Sequence, residues 1–295
     1  MAYENVSKAI KNENRAVLIT GTSTGIGRAA ALHLDRLGFR VFASMRKEID
    51  CESLSKEASQ RLTPILMDVT DKTAITRARD EVARVVGRDG LWGLVNNAGI
   101  SFRAPIEFAP LDEFRKLYDT NVFGLLTVTQ AFLPLVRLAG GRIINVSSIA
   151  TSMITTFHGP YTSSKLAVNG ITNTLRLELK PFDIQVSLIL FGGVSTAIWE
   201  RVKRNTAEVT SHLPSEFTEL YADRQSKALG YFFTKGEAGI SPAVATQPII
   251  HALTARRARN TYFIGSGSKL FNLLDKVIYG RLRDWVVLHT MGLGS

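Results

Sequence analysis

Cysteine is almost missing from the 295-residue chain. Cys51 stands alone, which excludes an internal disulfide and a cysteine-held metal cluster and suits a reducing compartment. The five histidines, His33, His158, His212, His251 and His289, form no HExxH or other paired ligand spacing, so no dedicated metal site is expected. No uninterrupted apolar run reaches the roughly 18 residues of a membrane-spanning helix. The opening MAYENVSKAIKNENR has no apolar stretch of the kind a signal peptide carries. A cytoplasmic protein is the expectation. Arg-rich tracts, RNP motifs and zinc fingers are absent too. The net charge of +10 is spread along the chain, densest at Arg256, Arg257 and Arg259. Nucleic acid is therefore not an expected partner, and the charge suits anionic small molecules or anionic lipid instead. Without repeats, low-complexity segments or Pro/Ser-rich linkers, residues 1–295 read as one domain.

What the chain does have is alternation. RAVLIT, FRVFASM, TPILMDVT, LWGLVNNAG, GGRIINVSS, IQVSLIL and TYFIG are short apolar, β-rich runs that read as strands. Helical spacing marks RAAALHLDRLG and residues 72–87, 111–138 and 160–180 between them. Strands alternating with helices predict an α/β fold, a doubly wound parallel sheet of about seven strands covered on both faces.

The first strand runs into TGTSTGIG and then a helix. In that context Gly21 permits a tight turn, while Gly25 and Gly27 let backbone approach a pyrophosphate held by the helix N-terminal amides. The second strand ends in Ala43-Ser44-Met45-Arg46-Lys47, with no carboxylate to bind a ribose 2′-hydroxyl. Arg46 could instead grip a 2′-phosphate, which favours NADP(H) and leaves NAD(H) as the alternative.

In GPYTSSKLAVNG, Tyr161 and Lys165 are four residues apart and share one helix face. An ammonium beside a phenol favours the phenolate and lowers a pKa of ~10 toward the working range of an acid–base group. Tyr161 could then give a proton to a carbonyl oxygen or take one from an alcohol.

With GTSTGIG, Asp68-Val69, Asn96-Asn97-Ala98-Gly99, Val146-Ser147-Ser148 and Tyr161-Thr162-Ser163-Ser164-Lys165 in this order, the chain resembles the short-chain dehydrogenases/reductases over about residues 15–200. The resemblance implies a Rossmann-type domain, a nicotinamide cofactor and no metal. It implies cofactor contacts at Gly21, Ser23, Gly25, Ile26 and Gly27, at Asp68 and Val69 near the adenine, and at Asn96 beside the adenosine. Ala98 and Gly99 would line the cofactor, and Val194 and Thr196 would meet the carboxamide. It makes Ser148 the second donor to the substrate oxygen, has Lys165 hold the nicotinamide ribose, and matches Asn121 to a water-fixing asparagine. Phe191-Gly192-Gly193 departs from the family's usual Pro-Gly at that point. The phrase LDRLGFRVFAS is similar to the hydroxysteroid, retinol and hydroxybutyrate dehydrogenase branch.

Residues 197–240 fall where that family carries its substrate lid. Their aromatics, Trp199, Phe217, Tyr221, Tyr231, Phe232 and Phe233, fill either the lid's own core or an apolar channel for a steroid, retinoid or other lipophilic compound. His158 either touches substrate or is a satisfied loop histidine. Residues 268–290 form a basic amphipathic extension, with apolar positions 270, 273, 274, 277 and 278 near Lys269, Lys276, Arg281, Arg283 and Trp285. Its stripe would dock on its own domain, on a sister subunit or peripherally on an anionic membrane. The function implied is an NADP(H)-preferring oxidoreductase of a small-molecule alcohol or carbonyl, working as a homodimer or homotetramer. The rivals are an NAD-dependent dehydrogenase of a small hydroxy acid or alcohol, and a dinucleotide sensor without catalysis.

Overall fold

The computed structural model describes residues 15–152, 154–265 and 280–293. Its centre is one parallel sheet of seven strands, β1 (Ala16–Thr20), β2 (Arg40–Met45), β3 (Leu62–Leu66), β4 (Gly93–Asn96), β5 (Arg142–Ser148), β6 (Gln185–Phe191) and β7 (Thr261–Ile264), in the order β3-β2-β1-β4-β5-β6-β7. Strand side chains alternate between faces, and both faces here are dry. Val17 and Ile19 of β1 join Leu34, Ile249 and Leu253 on one side. Ala16 and Leu18 join Val82, Val128 and Phe132 on the other. That double burial explains why each strand reads as a continuous apolar run. Pro64 lies in β3, an edge strand, where its missing N–H costs no ladder bond on a second side.

Helices α1 (Gly25–Arg36), α2 (Glu48–Ser55), α3 (Lys72–Val86), α4 (Leu111–Tyr118), α5 (Gly124–Leu138), α6 (Gly159–Glu178), α7 (Ile198–Ser211), α8 (Ser215–Glu237) and α9 (Pro242–Thr254) make the crossovers and the covering layers, and α10 (Gly280–Thr290) follows. α1 packs on α9, and α3 on α5. The order of strands reverses between β1 and β4, so the crevice beyond their C-terminal ends is the topological switch point, where open α/β sheets take ligands.

Three expectations change in detail. The helix read through 111–138 contains a wider π turn, Asp119–Phe123, which buries Asn121 against Ile100 and Ser164. The same stretch, Leu111–Leu138, is long and apolar enough to cross a membrane, but half of its most apolar window is buried inside the protein. The apolar positions 270, 273, 274, 277 and 278, with Lys269 and Lys276, lie outside the described residues. At the end of the chain, Met291 is buried in a cluster with Phe157 and Ala228, against which Val287, Leu293, Tyr221, Tyr231 and Phe232 pack. This end of α10 therefore docks on its own domain, while Leu282 and Trp285 stay exposed.

Candidate active site

The crevice begins at the glycine loop. Gly21 has a φ of 71°, and a Cβ there would lie 2.8 Å from Ala98 Cα. A Cβ on Gly27 would overlap Gly21 O and stand 2.5 Å from Asn97 Nδ2. Both glycines are thus required for the first turn of α1 to approach β1 and β4 so closely. Thr24 precedes α1 but gives no side-chain cap, which leaves the first-turn amides available to an anion. Arg201 of α7 donates to Thr24 Oγ1 at 3.1 Å, bringing a cation over the loop.

Asn97 laces the loop to the sheet: its Nδ2 donates to Thr20 O at 2.9 Å and to Gly21 O at 3.0 Å. Thr20 Oγ1 in turn accepts from the amides of Asn97 and Ala98 at 3.0 Å. Asn96, expected beside the adenosine, is instead buried, donating to Thr129 Oγ1 and Asn145 Oδ1 at 2.9 Å. Successive residues of β4 point to opposite faces, so only one asparagine of the pair can face the crevice with its side chain. That one is Asn97.

At the far end, Arg46 is 61% exposed and stands 3.8 Å from Asp68 Oδ2, while Asp68 Oδ1 accepts from Thr70 N and Oγ1. Ser44 Oγ is buried there with no protein partner. Uncapped amides, glycines with no room for a Cβ, an orphan hydroxyl and an outward-reaching arginine make a site that fits a dinucleotide. Ser23, Gly25, Ile26, Val69, Ala98, Gly99, Val194 and Thr196 line the same crevice.

The other end holds the acid–base groups. Ser148 ends β5 beside the Tyr161 phenol; its hydroxyl accepts from Ala150 N at 3.1 Å and reaches Phe191 O at 3.5 Å. Lys165 Nζ lies 5.8 Å from the Tyr161 ring centroid and donates to Val146 O at 3.0 Å, so the two α6 residues share a face as their spacing requires. Asn121 exchanges bonds with Ile100, N to Oδ1 at 2.8 Å and Nδ2 to O at 3.0 Å, and also donates to Ser164 Oγ. Gly99 lies where these residues converge: a Cβ there would be 3.2 Å from Asn121 Oδ1 and 3.5 Å from Lys165 Nζ. Ser147 is bonded to Asn169, and Ser163 to Pro160 O, so both hydroxyls are structural.

The electrostatics correct the expectation for the phenol. Burial raises the Tyr161 pKa, and the bond from Ser148 and the charge of Arg103 only partly oppose it. Burial also lowers Lys165 to about 8, because desolvation disfavours the ammonium as it does the phenolate. The cation acting on Tyr161 across the protein is Arg103, which the sequence reading missed. His158 stacks on Tyr161 with centroids 4.7 Å apart and is pushed well below its usual pKa by burial and by Arg103.

Sequence reasoning also missed Ser44, Asn97 and Arg201; the Asn-Asn pair and strand alternation were a usable signal for Asn97. The loop lacking the usual proline is held by bonds: Gly192 N donates to Ile264 O at 2.7 Å and Ile240 N to Gly193 O at 3.0 Å. Of the lid aromatics, Trp199 lines the crevice and donates to Val194 O at 2.8 Å. Phe217 and Tyr221 pack edge-on against Phe108, and Tyr231 packs against Phe232. Most of them therefore pack against the rest of the domain, at Phe108, Phe157 and Met291, and do not line the crevice.

A family model of the short chain dehydrogenases matches residues 15–207. The chain is 36% identical to retinol dehydrogenase 7 of Mus musculus over 267 residues, 88% of this chain and 84% of that protein. It is 32% identical to estradiol 17-beta-dehydrogenase 2 of Mus musculus, over 93% of this chain and 74% of that one. A short-chain dehydrogenase from Streptomyces avermitilis superposes with a TM-score of 0.74 at 24% identity, covering 91% of this chain and 94% of its own.

Proposed function

The chain belongs to the short-chain dehydrogenase family and is an oxidoreductase of CH–OH groups, and on that premise we propose that it interconverts a lipophilic secondary alcohol and its ketone, or an alcohol and its aldehyde, with NADP(H) preferred over NAD(H). The observation that carries this reading is the meeting of Ser148, Tyr161 and Lys165 in one crevice with an uncapped α1 N-terminus at its other end. A bound nicotinamide nucleotide would supply or accept hydride. The protein's own part is to hold the substrate oxygen between the Ser148 and Tyr161 hydroxyls and to move one proton at Tyr161 Oη. In reduction Tyr161 gives that proton to the carbonyl oxygen; in oxidation it takes the proton from the alcohol. Ser148 stabilises charge on the oxygen as it develops. Lys165 and Asn121 both lie against Gly99, and Asn121 donates to Ile100 O.

Arg46 supports the NADP(H) preference, since its fork suits a 2′-phosphate and no carboxylate terminates β2. Relatives named for retinol and estradiol support a steroid- or retinoid-like compound. The exposed Phe123, Leu166 and Leu177 support a homo-oligomer, and exposed Leu282 and Trp285 support peripheral contact with a membrane. The test is NADPH consumption with a panel of steroid ketones, retinal and simple carbonyls. Tyr161→Phe should lower turnover by about 10²- to 10⁴-fold while NADPH still binds. Near-normal turnover in that variant removes Tyr161 from the reaction.

A further inference from the structure

Among the described residues, the buried cations other than Arg103 donate to backbone carbonyls. Lys165 donates to Val146 O, and Arg142 donates to the carbonyls of Ala252 and Ala255 at 2.5 Å. Arg103 is only 2% exposed, yet its Nε and Nη1 have no hydrogen-bond partner. No Asp or Glu among the described residues forms an ion pair with it. The side chain lines the crevice that also holds Ser148, His158 and Tyr161. A guanidinium left this way is costly, because desolvation is not offset by any counter-charge.

Its surroundings fix it for one kind of ligand. The guanidinium carbon lies 3.8 Å above the Phe232 ring, a contact that leaves Nε and Nη1 without partners. His158 lies between, stacked on Tyr161 and 5.7 Å from Phe232, and burial keeps it neutral, so it neither neutralises Arg103 nor adds to its charge. A planar fork with free N–H groups and no counter-charge of its own matches a planar monoanion held at two points. Trp199, Ile198 and Val202 add apolar surface to the same crevice.

We propose that the substrate carries a carboxylate which Arg103 receives, so that the compound is a lipophilic hydroxy acid or the matching oxo acid. The carboxylate is a handle: it anchors the molecule with its carbinol or carbonyl oxygen at Ser148 and Tyr161 and takes no part in bond making or breaking. This rests on the oxidoreductase reading above, so turnover and binding are measured separately.

For turnover, kcat/KM is compared for oxo acids of graded chain length and for their methyl esters, with NADPH. The wild type should prefer each acid over its ester by roughly 10- to 100-fold, the range of a charge-assisted hydrogen bond. Arg103→Met should bring that ratio close to one, and Arg103→Lys should leave it between. For binding, decanoate, which cannot be reduced, is titrated into NADPH-loaded wild-type protein by calorimetry; saturable binding that weakens with salt and vanishes in Arg103→Met is expected. Esters and neutral ketones turned over as well as the acids, with no decanoate binding, overturn the carboxylate and leave the oxidoreductase standing. Decanoate binding without turnover of any carbonyl does the reverse. Tighter binding of dodecyl phosphate than of decanoate also overturns the proposal. So does an unchanged acid-to-ester ratio in Arg103→Met accompanied by a shifted pH profile, since Arg103 would then serve only the phenol. The wild-type arms stand even if a variant fails to fold.

Discussion

Replacing Gly27 by alanine puts one methyl group into the tightest place in the glycine loop. The new Cβ would overlap Gly21 O and lie 2.5 Å from Asn97 Nδ2, where ordinary contact begins at 3.4 Å, so the surroundings must open by about 1 Å. The two obstacles are themselves bonded, Asn97 Nδ2 to Gly21 O at 3.0 Å and to Thr20 O at 2.9 Å. Opening therefore sacrifices those bonds, about 1 kcal/mol each, and adds an overpacking cost of about 1–3 kcal/mol. The sum is about 3–5 kcal/mol, equivalent to a Tm lower by roughly 5–8 °C in a chain of this size. The same displacement moves the α1 amides off their anion, so the NADPH Kd should rise at least about tenfold, since a misplacement of 1 Å is enough for such losses. Thermal denaturation and fluorescence titration with NADPH measure both. A Tm within about 2 °C of wild type together with an unchanged Kd would refute the reasoning. It would mean that α1 does not dock on β1 as closely as described and that its N-terminus holds nothing.

Arg46→Asp should weaken NADPH binding by about 10-fold, the lower end for a charged hydrogen bond because the side chain is largely exposed, with NADH spared; equal losses for both nucleotides would remove Arg46 from the ribose site. Burial holds His33, His158 and His251 below their usual pKa. The unfolded chain therefore takes up protons near pH 6.5 that the folded chain refuses, and stability falls as pH drops below about 6.5. Melting curves across that window should show the slope, and His158→Gln should flatten it. Lys165, lowered to about 8 from 10.5, works at the other end: between those values the unfolded chain holds an extra proton, so its contribution to stability rises with pH. Lys165→Met should abolish that rise, and an identical slope in the variant would show the ammonium to be solvated.

The fold was legible because a parallel sheet leaves its signature on each strand separately. Val17 and Ile19 had to serve one face while Leu18 served the other, so no alternation with polar residues was possible. Tyr161 and Lys165 were legible for an equally local reason, their spacing of one helical turn. Three features were not. The π turn at Asp119–Phe123 depends on Asn121 finding Ile100 and Ser164, partners distant in sequence. The raised pKa of Tyr161 depends on how much protein surrounds it, which residue spacing does not encode. Arg103 sits in NNAGISFRAPIEF as an ordinary loop arginine until α8 brings Phe232 beneath it.

Met291 sits in one apolar cluster with Phe157, the residue just before His158, and with Phe232, the platform of Arg103. Phe157 is also one of two non-glycine residues with left-handed backbone among those described, at a φ of 59°, a conformation that holds only while its neighbours press on it. The tail of the chain thus acts as a keystone. Truncating Met291 would loosen the cluster that presses on Phe157, one residue from the His158 that stacks on Tyr161.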